Sequence, residues 1–322
     1  MAAAGTTHHA DRIQSAISSN GAAKSALIAS WQRSACLHKL DPARSNLPER
    51  LTDSEFGRAR QKMEPLIHVA QPSLDRLYHS VGGAGCCVLL ADRNGVPVVR
   101  RGAPGDDATF FDWGLWPGAI WSEGSEGTNG IGTCLVEQRA LTIHRDQHFY
   151  ARNALLSCTT APIYDHQGRL VAALDVSSCR SELIEKFVNL IATAVSDAAA
   201  RIEAECFRLA YSQARILVVP VADKGARALI AVDADDLVVG ATRAARLALG
   251  ISQACLQKSR PAAEVMNMSR TVTENLAAAE RGVLQRALAR AEGNVTAAAE
   301  ALGMSRATFY RKLRRLELHR TH

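Results

Sequence analysis

The chain has 322 residues, 47% of them apolar and 22% charged, which fits folded globular domains with more than one core and excludes a mostly disordered protein. The longest stretch free of Asp, Glu, Lys and Arg has 15 residues (77–91), short of the roughly 18 apolar residues that cross a bilayer, and MAAAGTTHHADR lacks the basic-then-apolar order of a signal peptide. Of 38 Lys plus Arg and 32 Asp plus Glu, residues 276–322 carry 9 and 4, so nearly all of the net charge of +6 sits at one end, as in a polyanion-binding module attached to something else.

Residues 1–24 read as a disordered or helical tail. From Ser25, ALIASWQRSACLHKLDP reads as a short helix with Trp31 on its apolar side, a polar linker runs from Pro42 to Leu51, and a helix covers Asp53 to Leu77. Residues 25–65 are therefore N-terminal helices and linker. Two hairpins follow: Cys86–Ala91 with Val96–Arg100 around Asp92-Arg93-Asn94-Gly95, and Leu155–Ile163 with Arg169–Val176 around Asp165-His166-Gln167-Gly168. Between them, Ala103 to His148 reads as a long irregular stretch rich in Gly and Trp, and loops of that length are commonly functional. Its aromatics, Trp113, Trp116 and Trp121, suit either the wall of a small-molecule pocket or the core. In GTNGIGT, Thr128, Asn129 and Thr133 supply short hydrogen-bonding side chains that either cradle a ligand's polar end or cap a helix near Ile131. His148 and Phe149 complete this candidate ligand wall. The absence of Lys and Arg between Gly102 and Gln138 argues against a phosphate site there.

A long helix covers Ser181 to about Ala214, with Ile184, Phe187, Ile191, Ala194 and Ala198 as one stripe for the sheet or a partner helix. The pattern over 66–213 is thus an α+β domain, an antiparallel sheet flanked by helices. Residues 214–256 read as strand, strand, turn, strand and helix, and 257–274 as a linker. At 275–322 three helices follow. The first has Leu276, Val283, Leu284, Ala287 and Leu288 on its apolar face, the second is Ala-rich and capped by Asn294, and the third is capped by Ser305 with Phe309, Leu313 and Leu316 buried. Gly293 and Gly303 mark the turns. Between Ser305 and Arg315 stand Arg306, Arg311, Lys312, Arg314 and Arg315 and no acid. A tight Gly-containing turn before a basic helix is a helix-turn-helix arrangement, in which an early Arg reaches guanine edges and the others reach phosphates.

The segment EGNVTAAAEALGMSRATFYRKLRRLEL resembles the C-terminal DNA-binding domain of the Fis family. That resemblance implies phosphate contacts from Asn294 and Thr296, base contacts from Ser305, Arg306 and Arg311, a backbone grip by Thr308, Tyr310 and Lys312, and a homodimer on a palindromic operator. WSEGSEGTNGIGTCLVEQRALTIHRDQHF, CTTAPIYDHQGRLVAALDVSS, Ser30-Trp31 and Leu40–Pro42 together resemble the GAF sensor domain of acetoin-catabolism-type regulators, and 214–256 resembles part of a PAS domain. The implied protein is a bacterial transcriptional regulator whose GAF domain senses a small metabolite or a partner. Its further partners are RNA polymerase or another regulator.

Relatives of this type carry an ATPase between sensor and helix-turn-helix, and its phosphate loop ends in Gly-Lys-Ser or Gly-Lys-Thr. None of the seven Lys residues here follows a Gly, and GAFTGA is absent. The expectation is a cytoplasmic, non-enzymatic DNA-binding protein without cofactor, metal or membrane partner. Eight dispersed cysteines form no CxxC pair, and His144 and His148 have no third ligand in pattern. Two alternatives stand: a thiol redox sensor using Cys134 or Cys158, and an adaptor that works through contact with another regulator.

Overall fold

The structure, a computed structural model, describes residues 2–19, 25–44, 47–180, 187–221, 227–252, 256, 260–266 and 276–316, the side chains of 2–7 and 278 excepted. It divides into two compact units, 1–265 and 266–322. In the first, β1 (Cys86–Asp92), β2 (Pro97–Arg101), β3 (Leu141–His144), β4 (Ser157–Tyr164) and β5 (Leu170–Ser178) form an antiparallel sheet in the order β2-β1-β5-β4-β3. Both hairpins turn by the same device. Asp92 Oδ1 accepts from the backbone N–H of Asn94 and Val96, and Asp165 Oδ1 accepts from those of Gln167 and Arg169, all at 2.9 Å.

Strand alternation then sorts the core. Val88, Leu90, Leu174 and Val176 face α3 (Asp53–Val81) and α7 (Val188–Ala210), whose Ile67, Leu74, Ile191, Val195 and Ile202 cover that side. Cys87, Leu89, Ala91 and Ala173 face the opposite way, beneath Phe110, Leu115, Trp121 and Ile131. The stripe expected on the long helix therefore serves the sheet and α3. Phe187 departs from it, being 53% exposed, and residues 181–186, Ile184 among them, lie outside the described residues.

The stretch 103–148, expected to be irregular, is instead ordered in short pieces: α4 (Asp107–Asp112), α5 (Glu123–Glu126), α6 (Gly130–Glu137) and β3. None exceeds eight residues, too few for a helical or strand period to emerge from the sequence. The two later helices are begun by caps, Ser122 Oγ accepting from Ser125 N–H at 3.1 Å and Asn129 Oδ1 from Gly132 N–H at 2.8 Å. At the front of the chain, α1 (Ala2–Ser18) buries Ile13 among Trp31, Phe149 and Tyr150. Trp31 sits on α2 (Ala26–Gln32), which runs on into a π turn at Arg33–Leu37.

A second antiparallel sheet, β6 (Arg215–Val218), β7 (Leu229–Val232) and β8 (Val238–Ala241), with α8 (Arg243–Leu249), packs Leu229 and Ala231 on Ala204 and Phe207 of α7. Part of the expected linker belongs to this sheet. Val238 N–H donates to Arg260 O at 2.9 Å, Leu237 bridges to Pro261, and α9 (Ala262–Val265) follows. The rest of that linker, 257–259 and 267–274, lies outside the described residues.

The second unit is α10 (Leu276–Arg290), α11 (Val295–Ala301) and α12 (Arg306–Arg315) around Leu284, Ala287, Val295, Ala298, Ala299, Phe309, Leu313 and Leu316. Gly293 and Gly303 take φ of +82° and +63° at the two turns, a conformation open to glycine because it has no Cβ. Leu276 and Val283, expected on the apolar face of α10, are 89% and 41% exposed. The buried stripe runs instead through Leu284, Ala287, Leu288 and Ala291, at i, i+3, i+4 and i+7. No described helix of either unit is long and apolar enough to cross a membrane.

Candidate functional sites

In the second unit, α12 turns its charges two ways. Phe309, Leu313 and Leu316 fix its inner face, so the side chains of Arg306, Arg311 and Arg314 are exposed, and among the described residues they form no ion pair. The Arg306 guanidinium lies 5.6 Å from the centre of the Tyr310 ring, which itself packs on the unit's core. On the flank nearer α10, Lys312 and Arg315 are both paired with Glu280, one on each carboxylate oxygen. Lys312, expected to grip a nucleic-acid backbone, is thus held within the unit by an α10 carboxylate. With the charges of Arg306, Arg311 and Arg314 exposed and unpaired among the described residues, the outer flank suits a polyanion.

The capping residues are already employed. Asn294 Oδ1 accepts from Thr296 N–H at 3.0 Å and Ala297 N–H at 3.2 Å, which leaves its amide N–H groups for an outside acceptor. Ser305 Oγ accepts from Thr308 N–H at 3.2 Å and donates to Thr308 Oγ1 at 3.0 Å. Thr296 and Ser305 are exposed and Thr308 is half-buried. Ser305 thus starts the helix that carries Arg306 and Arg311.

In the first unit, the structure distributes the eight candidate ligand residues over four places. Trp113 and Trp121 pack in the core beneath α6, where Trp121 Nε1 donates to Gly114 O at 2.8 Å. Trp116 is half-buried, stacked under the Arg100 guanidinium at 4.6 Å and edge-on to Phe111. His148 and Phe149 lie against α1: His9 Nε2–H donates to both of their carbonyls, at 3.1 and 3.3 Å, while His148 Nδ1–H donates to Arg145 O at 2.9 Å. Burial pushes His148 down to about 4. His144 meets Ser157 Oγ instead, so the two histidines do not converge.

Thr128 and Thr133 do come together, on a cavity of about 170 Å³ that Ser30, Glu137, Thr142 and Gln147 also line. Asn129 lies beside them as the cap of α6. The polar groups here converge on Glu123, whose side chain is 1% exposed. It accepts from Ser30 Oγ at 2.5 Å, from Thr133 Oγ1 at 3.2 Å, and from Arg33 Nε and Nη2 at 2.9 Å each. Ser30 Oγ also meets Thr128 Oγ1 at 2.7 Å, and Arg33 reaches Glu137 at 3.2 Å. Ser30, Arg33, Glu123 and Glu137 were not singled out in sequence as site residues. The only signal was the Ser30-Trp31 pair, because the contacts span some 90 to 104 residues.

Another buried carboxylate, Asp175, sits at the middle of β5 with no ion pair among the described residues, accepting from Thr160 Oγ1 at 2.5 Å and Ser177 Oγ at 2.6 Å. Burial raises it to about 6. Cys134 and Cys158 are buried too, and desolvation drives both thiols up, away from the depressed pKa of a reactive thiolate.

Residues 65–202 match the GAF domain family, and residues 275–316 match the bacterial regulatory protein, Fis family. Over 226 residues the chain is 36% identical to the acetoin catabolism regulatory protein of Cupriavidus necator, covering 68% of this chain and 34% of that protein. It is 29% identical over 173 residues to the acetoin dehydrogenase operon transcriptional activator AcoR of Bacillus subtilis, covering 53% of this chain and 28% of that one. The chain therefore spans about a third of the length of the curated relatives it matches. A crystal structure of the E. coli DhaR(N)–DhaL complex shares the fold, with a TM-score of 0.51 over 74% of this chain and 80% of that one, at 16% identity.

Proposed function

From a chain that joins a GAF domain to a Fis-family helix-turn-helix and is related to acetoin-catabolism-type transcriptional regulators, we propose a DNA-binding regulator in which the front unit senses and the tail unit reads duplex DNA. The observation that carries this reading is the outer flank of α12: Arg306, Arg311 and Arg314 exposed on a helix capped by Ser305 and seated on a closed three-helix core. Arg306 and Arg311 take the base-reading role, and Asn294, Thr296 and Tyr310 the phosphates. A palindromic operator read by a homodimer fits this arrangement. Exposed Phe187 and Leu190 at the start of α7 and Leu209 at its end are apolar side chains available to a second copy.

The effector site of this reading is the cavity beside Thr128 and Thr133, whose size and hydroxyl-rich lining suit a small, uncharged, oxygen-bearing metabolite. Signalling then runs by shifting how the two copies pair, since half-site spacing is geometrically strict. The chain carries no Gly-Lys-Ser or Gly-Lys-Thr loop, so control proceeds by occupying DNA or recruiting a partner, with no nucleotide hydrolysed.

The test is binding of purified protein to duplex DNA across a salt series. A log affinity that falls linearly with log salt supports the reading, and a flat or absent response removes it. For the effector site, Thr133→Leu abolishes the change in DNA affinity that an active metabolite produces, while DNA binding without metabolite persists.

A further inference from the structure

We propose that Glu280 is a specificity-determining residue of the DNA-reading unit: it withholds Lys312 and Arg315 from the phosphates, so that α12 offers DNA one basic flank instead of two. The proposal rests on the DNA-binding reading above. Five cations and no acid lie between Ser305 and Arg315, and a helix charged on both sides of its buried stripe would hold any duplex in many registers. The structure divides that charge. Arg306, Arg311 and Arg314 stand on one side with no acid among the described residues, whereas Lys312 and Arg315 are drawn to the other side by the two oxygens of one α10 carboxylate. Lys312 and Glu280 are themselves only 30% and 24% exposed, so the pair is partly shielded from salt. Arg281, next along α10, donates to Leu316 O at the end of α12, which fixes the same two helices against each other.

Sequence-independent affinity for DNA comes almost wholly from neutralised phosphates, and sequence discrimination from base contacts. Two cations held by an acid lower the first and leave the second to Arg306 and Arg311. Glu280 acts through Lys312 and Arg315, and is a positioning residue.

The experiment measures affinity for a short random-sequence duplex across a salt series, for the parent, Glu280→Gln, Lys312→Met and the double variant. The slope of log affinity against log salt changes by about 0.9 for each phosphate contact, so one recovered contact tightens random binding about eight-fold at 0.1 M salt relative to 1 M. Glu280→Gln is expected to steepen the slope by about one to two such contacts, and Lys312→Met to flatten it more in the Glu280→Gln background than in the parent. An unchanged slope in Glu280→Gln, or an equal effect of Lys312→Met in both backgrounds, overturns the proposal while the DNA-binding reading stands. Absence of salt-sensitive binding in the parent overturns both. If Glu280→Gln fails to fold by circular dichroism, Glu280→Asp, which keeps the charge and shortens its reach, gives the same test: a slope steeper than the parent's supports the clamp, and one equal to it does not.

Discussion

Glu123 in the front unit and Glu280 in the tail unit are built alike. Each is a single carboxylate gathering donors from a distant helix: Glu123 holds Arg33, Ser30 and Thr133, and Glu280 holds Lys312 and Arg315. They differ in their surroundings. Glu123 is sealed from solvent, where removing one partner strands an uncompensated charge; Glu280 is 24% exposed, so its pair is only partly shielded and water can replace a lost partner. The same chemical motif therefore fixes the fold in one place and leaves it alone in the other, and only the second is free to be shaped by what the protein binds.

The largest effect is expected from Glu123→Ala, which leaves Arg33 without its bidentate partner. It is expected to cost about 3–5 kcal/mol of front-unit stability in denaturant unfolding. A loss below about 1 kcal/mol would place Glu123 with the surface pairs.

Asp175, buried without a charged partner among the described residues, makes the front unit's stability depend on pH. Burial lifts its pKa to about 6, so the folded state keeps a proton that the unfolded chain gives up near 4. Stability therefore falls as pH rises from about 4 to about 6 and stays lowered above, by about 3 kcal/mol at most. Asp175→Asn removes this loss, and its melting temperature is expected to exceed the parent's by a margin that grows across that window. His148, pushed down to about 4, works in the opposite sense over an overlapping range, so the difference between variant and parent is the quantity to follow.

On the tail unit, Arg306→Ala is expected to cost about 1–3 kcal/mol on the preferred operator and to relax the sequence there; an equal loss on random DNA would mark a phosphate contact. Asn294→Ala removes the cap of α11 and is expected to lower the unit's stability by about 1 kcal/mol in thermal unfolding. Glu280→Gln, at the bottom of the scale, leaves the unfolding midpoint within error while changing the salt slope of DNA binding.

What could be read in advance follows from the range of the interactions. The two hairpins are legible because Asp92 and Asp165 each organise a turn within four residues. The tail unit is legible because its caps, Asn294 and Ser305, act within three residues on Ala297 and Thr308. The strand Leu141–His144 is not, since four residues carry little alternation and its pairing with β4 supplies the order. Neither carboxylate clamp is legible: Ser30 and Glu123 are 93 residues apart, and Glu280 and Lys312 are 32 apart, distances over which local pattern carries no register. The charge surplus of the last segment pointed to α12 as a whole, but not to the division of its cations between Glu280 and solvent.

Gly132 gives α6 its mechanical character. A Cβ there would lie 2.4 Å from Glu123 N and 2.7 Å from Trp121 O, and one on neighbouring Gly130 would lie 2.6 Å from the Cβ of Cys158. The helix is thus seated on the sheet on one side and on the Trp121–Glu123 backbone on the other, with no slack in either direction. Thr133 is coupled in turn to Glu123, and Glu123 through Arg33 to the turn that follows α2, so these pieces are linked by direct hydrogen bonds.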